Sequence, residues 1–141
     1  CGHDKKAAEK KAQETIDAFG MESIASDRSK TLSGGWQRRL SIALALIGEP
    51  KVLFLDEPTL GLDVIARRDL WKMIEKLKGK ITIILTTHYL EEAEALSSRI
   101  GIMAGGKLRA VGTAAELEKR AGTDNFEDAF ISIAGEGGIE R

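Results

Sequence analysis

The 141-residue sequence predicts an α/β fold: a parallel sheet flanked by helices, with a helical subdomain ahead of it. Three observations carry that expectation. Residues 51–55 and 81–86 are two short continuous apolar runs rich in branched or aromatic residues, the pattern of parallel strands covered on both faces. Between them Leu62, Ile65, Leu70, Trp71 and Ile74 recur at helical spacing, so 63–77 is predicted to be a helix with those residues inward. A strand, a helix and a second strand in that order imply a right-handed parallel crossover.

The remaining elements follow in chain order. Residues 4–19 place Ala8, Ala12, Ile16 and Phe19 on one weak apolar face, and Gly20 supplies a stop, which predicts a helix. Residues 21–31 are polar and irregular, with Ser26, Asp27 and Ser29 marking a loop. From Trp36 the positions Leu40, Ala43, Leu44 and Ile47 continue a helical stripe that Gly48-Glu49-Pro50 ends. After the second strand, a short helix over about 89–97, a strand at 99–104, a return strand at 107–112 and a helix at 114–121 complete the core. The expected organisation is a helical subdomain over 1–49, a strand-rich core over 50–122 and a tail over 123–141.

Composition narrows the class. Hydrophobic residues make up 43% and charged residues 30%, an ordinary globular balance. A net charge of -1 gives no support to bulk attraction for nucleic acid or anionic lipid. One cysteine excludes an internal disulfide and a four-thiolate metal site. The longest apolar run, Ile42 to Ile47, has six residues against the ~18 needed to cross a bilayer, so any membrane link is expected through a partner. The chain starts at Cys1 and its first methionine is Met21, which reads as a piece of a longer protein.

The chemistry-bearing residues lie where these elements begin and end. Ser33-Gly34-Gly35 opens a helix, where the first backbone N–H groups and the positive end of the helix dipole suit an anion and missing Cβ atoms allow close approach. Alone, the segment reads more simply as a plain serine cap with flexible glycines. The next strand ends in two adjacent carboxylates, Asp56 and Glu57, which point in different directions; together with the helix start they suit a phosphate chain and its metal. Their bland reading is an acidic turn before Pro58. His88 follows Thr86-Thr87 at the end of the second strand, near the crevice where open parallel sheets bind ligands. Asp63 is a good cap for the 63–77 helix. Arg38 and Arg39 read as solvated, Trp71 as core, and Glu91, Glu92 and Glu94 as first-turn acids that need no metal. His3 lies in a charged leader and carries no expected role.

Leu32-Ser33-Gly34-Gly35, the strand ending in Asp56-Glu57-Pro58, the turn Gly61-Leu62-Asp63 and the single His88 together resemble the second half of an ATP-binding-cassette ATPase domain. The tail Phe126-Glu127-Asp128-Ala129-Phe130 is similar to the end of that domain in exporter-type members, so the likeness covers roughly 15–133. The resemblance implies a P-loop NTPase-like fold, ATP and Mg2+ as cofactors, and ATP hydrolysis. It implies that Asp56 holds the metal, that Glu57 polarises the attacking water, and that His88 bonds the γ-phosphate and Glu57. It implies that Ser33, Gly34 and Gly35 close over the ATP of a second copy, and that Asp63 reports across that head-to-tail interface. Trp36 departs from the usual glutamine, which removes a side-chain contact there but not the amides before it.

The family's phosphate loop, Gly-x-x-x-x-Gly-Lys-Ser/Thr, has one near match. Gly101-Ile102-Met103-Ala104-Gly105-Gly106-Lys107 has the glycine and lysine spacing, but Leu108 cannot ligate a hard cation. That stretch reads instead as a Gly-Gly hairpin turn between two strands, which places the true phosphate loop upstream of residue 1. The expected partners are a transmembrane permease and a second nucleotide-binding domain, with no nucleic acid. The expected location is cytoplasmic, on the inner face of the cell membrane. A soluble ATPase of the same fold in DNA repair or translation, and a non-hydrolytic interaction module, remain the alternatives. An uncovered sheet edge in this piece would invite pairing with another chain.

Overall fold

A computed structural model describes residues 4–135, so Cys1 and His3 lie outside the described residues. The chain forms two compact units, 1–86 and 87–141, each described by itself. The first holds α1 (Lys5–Ala18), α2 (Gly34–Leu46), β1 (Val52–Asp56), α3 (Val64–Glu75) and β2 (Thr82–Thr86). The second holds α4 (Leu90–Leu96), β3 (Ile100–Ala104), β4 (Lys107–Gly112), α5 (Ala114–Ala121) and α6 (Phe126–Gly135).

In the first unit β1 and β2 pair in parallel, with Val52 opposite Thr82 and Asp56 opposite Thr86. The crossover helix α3 turns Leu70, Met73 and Ile74 inward, and Leu70 is 0% exposed. Leu53 and Leu55 fill the buried face of β1. The opposite face differs from the expected cover on both sides: Val52, Phe54 and Ile84 are exposed, Phe54 by 71%. Continuous apolar strands therefore keep one face of this pair open to a neighbour.

One residue expected inward and one weak apolar face stay open to solvent. Ile65 is 76% exposed, because it sits in the first turn of α3, ahead of the stretch that carries the buried Leu70 and Ile74. Helix α1 buries none of its residues; Ala8 and Ala12 are exposed, while Lys11, Thr15, Ile16 and the following Phe19 are half-buried. Small alanines gain too little apolar burial to pull a lysine-rich helix down. The expected loop at 21–31 contains two single 3-10 turns, Glu22–Ile24 and Ser29–Thr31, and Met21 before them is buried.

In the second unit β3 and β4 form an antiparallel hairpin with a register shift between Ile102 and Met103. Gly105 and Gly106 both have positive φ, 58° and 70°, as a tight two-residue hairpin turn requires. The near match to a phosphate loop is thus a hairpin, as its Leu108 implied. Helix α5 begins in a capping box: the Thr113 hydroxyl accepts from the Glu116 N–H at 3.2 Å, and the Glu116 carboxylate accepts from the Thr113 N–H at 2.8 Å. Gly122, left-handed at φ 69°, ends it.

The tail beyond 123 begins with a helix. Asn125 caps α6, its Oδ1 accepting from the Asp128 N–H at 2.9 Å. Phe126, Ala129 and Ile133 lie on one face and are buried. Phe126 and Ile133 share a core with Ile100, Ile102, Ala110 and Leu117. Among the described residues no helix is long and apolar enough to cross a membrane.

Candidate active site

The end of β1 delivers the two acids in distinct settings. Asp56 is exposed and lies in register with Thr86, whose hydroxyl donates a hydrogen bond to Asp56 Oδ1. Glu57 is half-buried with φ 46°, a left-handed conformation that costs a non-glycine residue about 1–2 kcal/mol. The surrounding backbone holds it there: the Glu57 N–H donates to the Thr86 carbonyl at 3.0 Å, and the Glu57 carbonyl accepts from Leu60 N–H at 3.2 Å. The turn continues through Leu62 N–H, which donates to the Thr59 carbonyl at 3.1 Å, and Gly61 at φ 77°. Pro58 and Thr59 are buried beneath it. Strain of this kind concentrates at functional positions, and here it falls on one of two neighbouring acidic residues.

The helix starts converge on the same unit. Ser33 caps α2, its Oγ accepting from the Trp36 N–H at 3.5 Å, and Asp63 caps α3, its Oδ1 accepting from the Ala66 N–H at 2.9 Å. The two glycines that open α2 play different parts. A Cβ on Gly35 would come within 3.1 Å of Ala66 Cβ, so Gly35 lets α2 approach α3. A Cβ on Gly34 would meet only Leu62 Cδ2 at 3.5 Å, an ordinary contact, so packing leaves room at Gly34. The structure therefore sets Gly34 against Leu62 and Gly35 against Ala66, and groups Asp56 and Glu57 with Thr86.

His88 is the second residue of the second unit; it is exposed and its ring lies 4.3 Å from that of Tyr89, tilted by 36°. The Tyr89 N–H donates to Thr87 Oγ1 at 3.0 Å, which shapes the turn that carries the histidine.

Several side chains depart from the sequence reading. Arg39 is not simply solvated: its guanidinium lies 4.7 Å over the Trp36 ring and its Nη2 is 3.3 Å from Asp69 Oδ2. Trp36 thus contributes a cation–π contact where a glutamine is usual, and Arg39 ties α2 to α3. Glu92 lies in the first turn of α4 as expected, and it is 0% exposed. Thr59 is also fully buried, and its hydroxyl has no hydrogen-bond partner among the described residues. Sequence spacing held no signal for Thr86, because strand threonines are common for their β-branch alone.

The donor set fits a magnesium ion. Asp56 is an exposed hard oxygen donor whose Oδ1 is fixed by the Thr86 hydroxyl. No cluster of three metal-ligating side chains occurs among the described residues. Magnesium needs none, since it is commonly held by one or two carboxylates with substrate phosphates and water.

The comparisons with known proteins point to one family. The family described as ABC transporter matches residues 3–60. ABC transporter A family member 11 of Arabidopsis thaliana is 51% identical over 112 residues, covering 79% of this chain and 12% of the relative. The phospholipid-transporting ATPase ABCA3 of Homo sapiens is 41% identical over 121 residues, 86% of this chain and 7% of the relative. A solved structure titled "Structure of ATP binding subunit of ABC transporter" superposes with TM-score 0.74 at 26% identity, covering 94% of this chain and 56% of that one. The chain belongs to the ABC transporter family and carries part of its nucleotide-binding domain, with the P-loop NTPase fold. It spans about an eighth or less of the curated relatives named here.

Proposed function

We propose that this chain is the C-terminal part of an ATP-binding and ATP-hydrolysing domain that drives substrate export through a transmembrane partner. The observation that carries the reading is the acid pair at the end of β1, fixed by Thr86 on β2, in the same compact unit as a serine-capped, glycine-opened helix and the Asp63 turn. In-line phosphoryl transfer needs positioning and stabilisation of spreading negative charge more than covalent chemistry, and these residues supply both.

Asp56 would hold the magnesium ion, which when bound neutralises charge on the β- and γ-phosphates. Glu57 accepts a hydrogen bond from the attacking water and orients it. His88 donates to the γ-phosphate. The free amides at the start of α2 meet the phosphates of an ATP held chiefly by a second copy, so two domains pair head to tail around two nucleotides. Asp63 lies on that interface. The phosphate loop that completes each site comes from outside residues 1–141, in keeping with the small fraction of the relatives that this chain spans.

The remaining partner is a permease in the membrane, which places the domain on the inner face of the cell membrane. The names of the relatives favour transport over a soluble role in DNA repair or translation. The human relative's name further supports an amphipathic lipid cargo. In the full-length protein, His88→Ala should lower steady-state ATP turnover about tenfold or more while nucleotide affinity is kept. A phosphate-release assay checks this, and an unchanged rate would remove His88 from the site.

A further inference from the structure

The acid pair has one neighbour that touches both members. Thr86 stands opposite Asp56 in the parallel ladder. Its hydroxyl donates to Asp56 Oδ1 and its carbonyl accepts the Glu57 N–H at 3.0 Å. We propose that Thr86 is a positioning residue for ATP hydrolysis, setting the Asp56 carboxylate for the metal and holding Glu57 in its left-handed conformation. The inference rests on the ATPase reading above.

Two physical arguments support it. An exposed carboxylate at a strand end has rotamer freedom, and a hydroxyl donor on one oxygen removes that freedom while leaving the second oxygen for a cation. Partners in this outer position commonly matter about 10–100-fold for metal affinity or activity. The second argument concerns Glu57. Its φ of 46° persists only where the surroundings over-determine it, and the bond to the Thr86 carbonyl is one of the two backbone bonds that do so. One residue thereby fixes the metal-facing acid through its side chain and the water-facing acid through its backbone.

The bland account is a β-branched residue that merely suits a strand. Thr82, on the same exposed face of β2, fits that account; it stands opposite the apolar Val52. Thr86 differs because its strand register puts its hydroxyl against a carboxylate. Valine keeps the shape and β-branch of threonine and loses the hydroxyl, whereas serine keeps the hydroxyl.

The test uses the full-length protein and three readouts. Thr86→Val should lower kcat for ATP hydrolysis about tenfold with KM for ATP little changed. With Mn2+ as the probe metal and ATP present, spin-resonance titration should show the half-saturating Mn2+ concentration rising about tenfold in the same variant. Thr86→Ser should restore both quantities to within about twofold of the parent, and the melting temperatures of the two variants should not follow that order. A valine variant with parental kcat and Mn2+ binding overturns the proposal, as does a serine variant as defective as the valine one. A parent protein that neither hydrolyses ATP nor binds Mn2+ with it would overturn the ATPase reading itself, a result separable from an active parent indifferent to Thr86.

Discussion

Glu57→Gln in the full-length protein is expected to bind ATP normally and to lose at least about a hundredfold in turnover. Glutamine has the shape of glutamate and keeps the same backbone donor, so the N–H bond to the Thr86 carbonyl and the turn closed by Leu60 both survive. The substitution adds no Cβ strain beyond that already present at φ 46°. It removes only the negative charge and the ability to accept a proton, the two properties the reaction uses when water attacks a phosphoryl group. Binding, which depends on groups elsewhere, should change by less than about threefold. Single-turnover hydrolysis and equilibrium nucleotide binding, measured side by side, check the split. Retained hydrolysis at the parental rate would show that Glu57 is an acidic turn residue and no more.

Gly34→Asp is expected to abolish turnover while leaving the fold as stable as before. Gly34 is the first residue of α2, directly after the Ser33 cap, and a Cβ there meets only one side-chain atom at 3.5 Å. An aspartate in a first helical turn interacts favourably with the helix dipole by about 0.3–1 kcal/mol, so the melting temperature should hold or rise. The same carboxylate faces the phosphates that the amides are proposed to meet. Like-charge juxtaposition of that kind costs several kcal/mol, about a hundredfold or more in rate. Gly35→Val is the control with the reverse pattern. Its Cβ would press to 3.1 Å from Ala66 Cβ, and overpacking should cost about 1–3 kcal/mol of stability. Thermal melts and ATPase rates of the pair separate an anion-binding helix start from glycines kept only for packing. A Gly34→Asp protein with full activity would leave only the packing role.

Much of this architecture was legible because it is written in local chemistry. Ser33 and Asp63 each cap the helix expected after them, and the strand at 107–112 and the helix at 114–121 fall where turn residues and periodicity put them. The Gly105-Gly106 turn identified itself by needing two positive φ angles. Long-range pairing was the part that local pattern could not supply. Nothing in residues 81–86 alone says that Thr86 falls opposite Asp56, since a shift of one residue in register would turn it to the other face.

Burial was misjudged where position within a helix overrides periodicity. Ile65 has the right spacing but lies in the first turn, and Ala8 and Ala12 have the right spacing but too little apolar area. Helix α6 was readable in principle: Phe126, Ala129 and Ile133 repeat at helical intervals behind Asn125. The site residues divide the same way. Asp56, Glu57, Ser33 and Asp63 stand out by type and adjacency to element ends. The left-handed Glu57 and the contact from Arg39 to Trp36 and Asp69 depend on three-dimensional proximity that no single-sequence pattern encodes.

The central claim is that these residues carry the acid pair and the glycine-opened helix α2 of a proposed shared ATP site but not the loop that grips the phosphates. Calorimetry of the 141-residue chain with Mg-ATP, run on protein whose helix and strand content is verified by circular dichroism, tests it most directly. The account predicts no binding at micromolar concentrations. A saturable micromolar isotherm would contradict it.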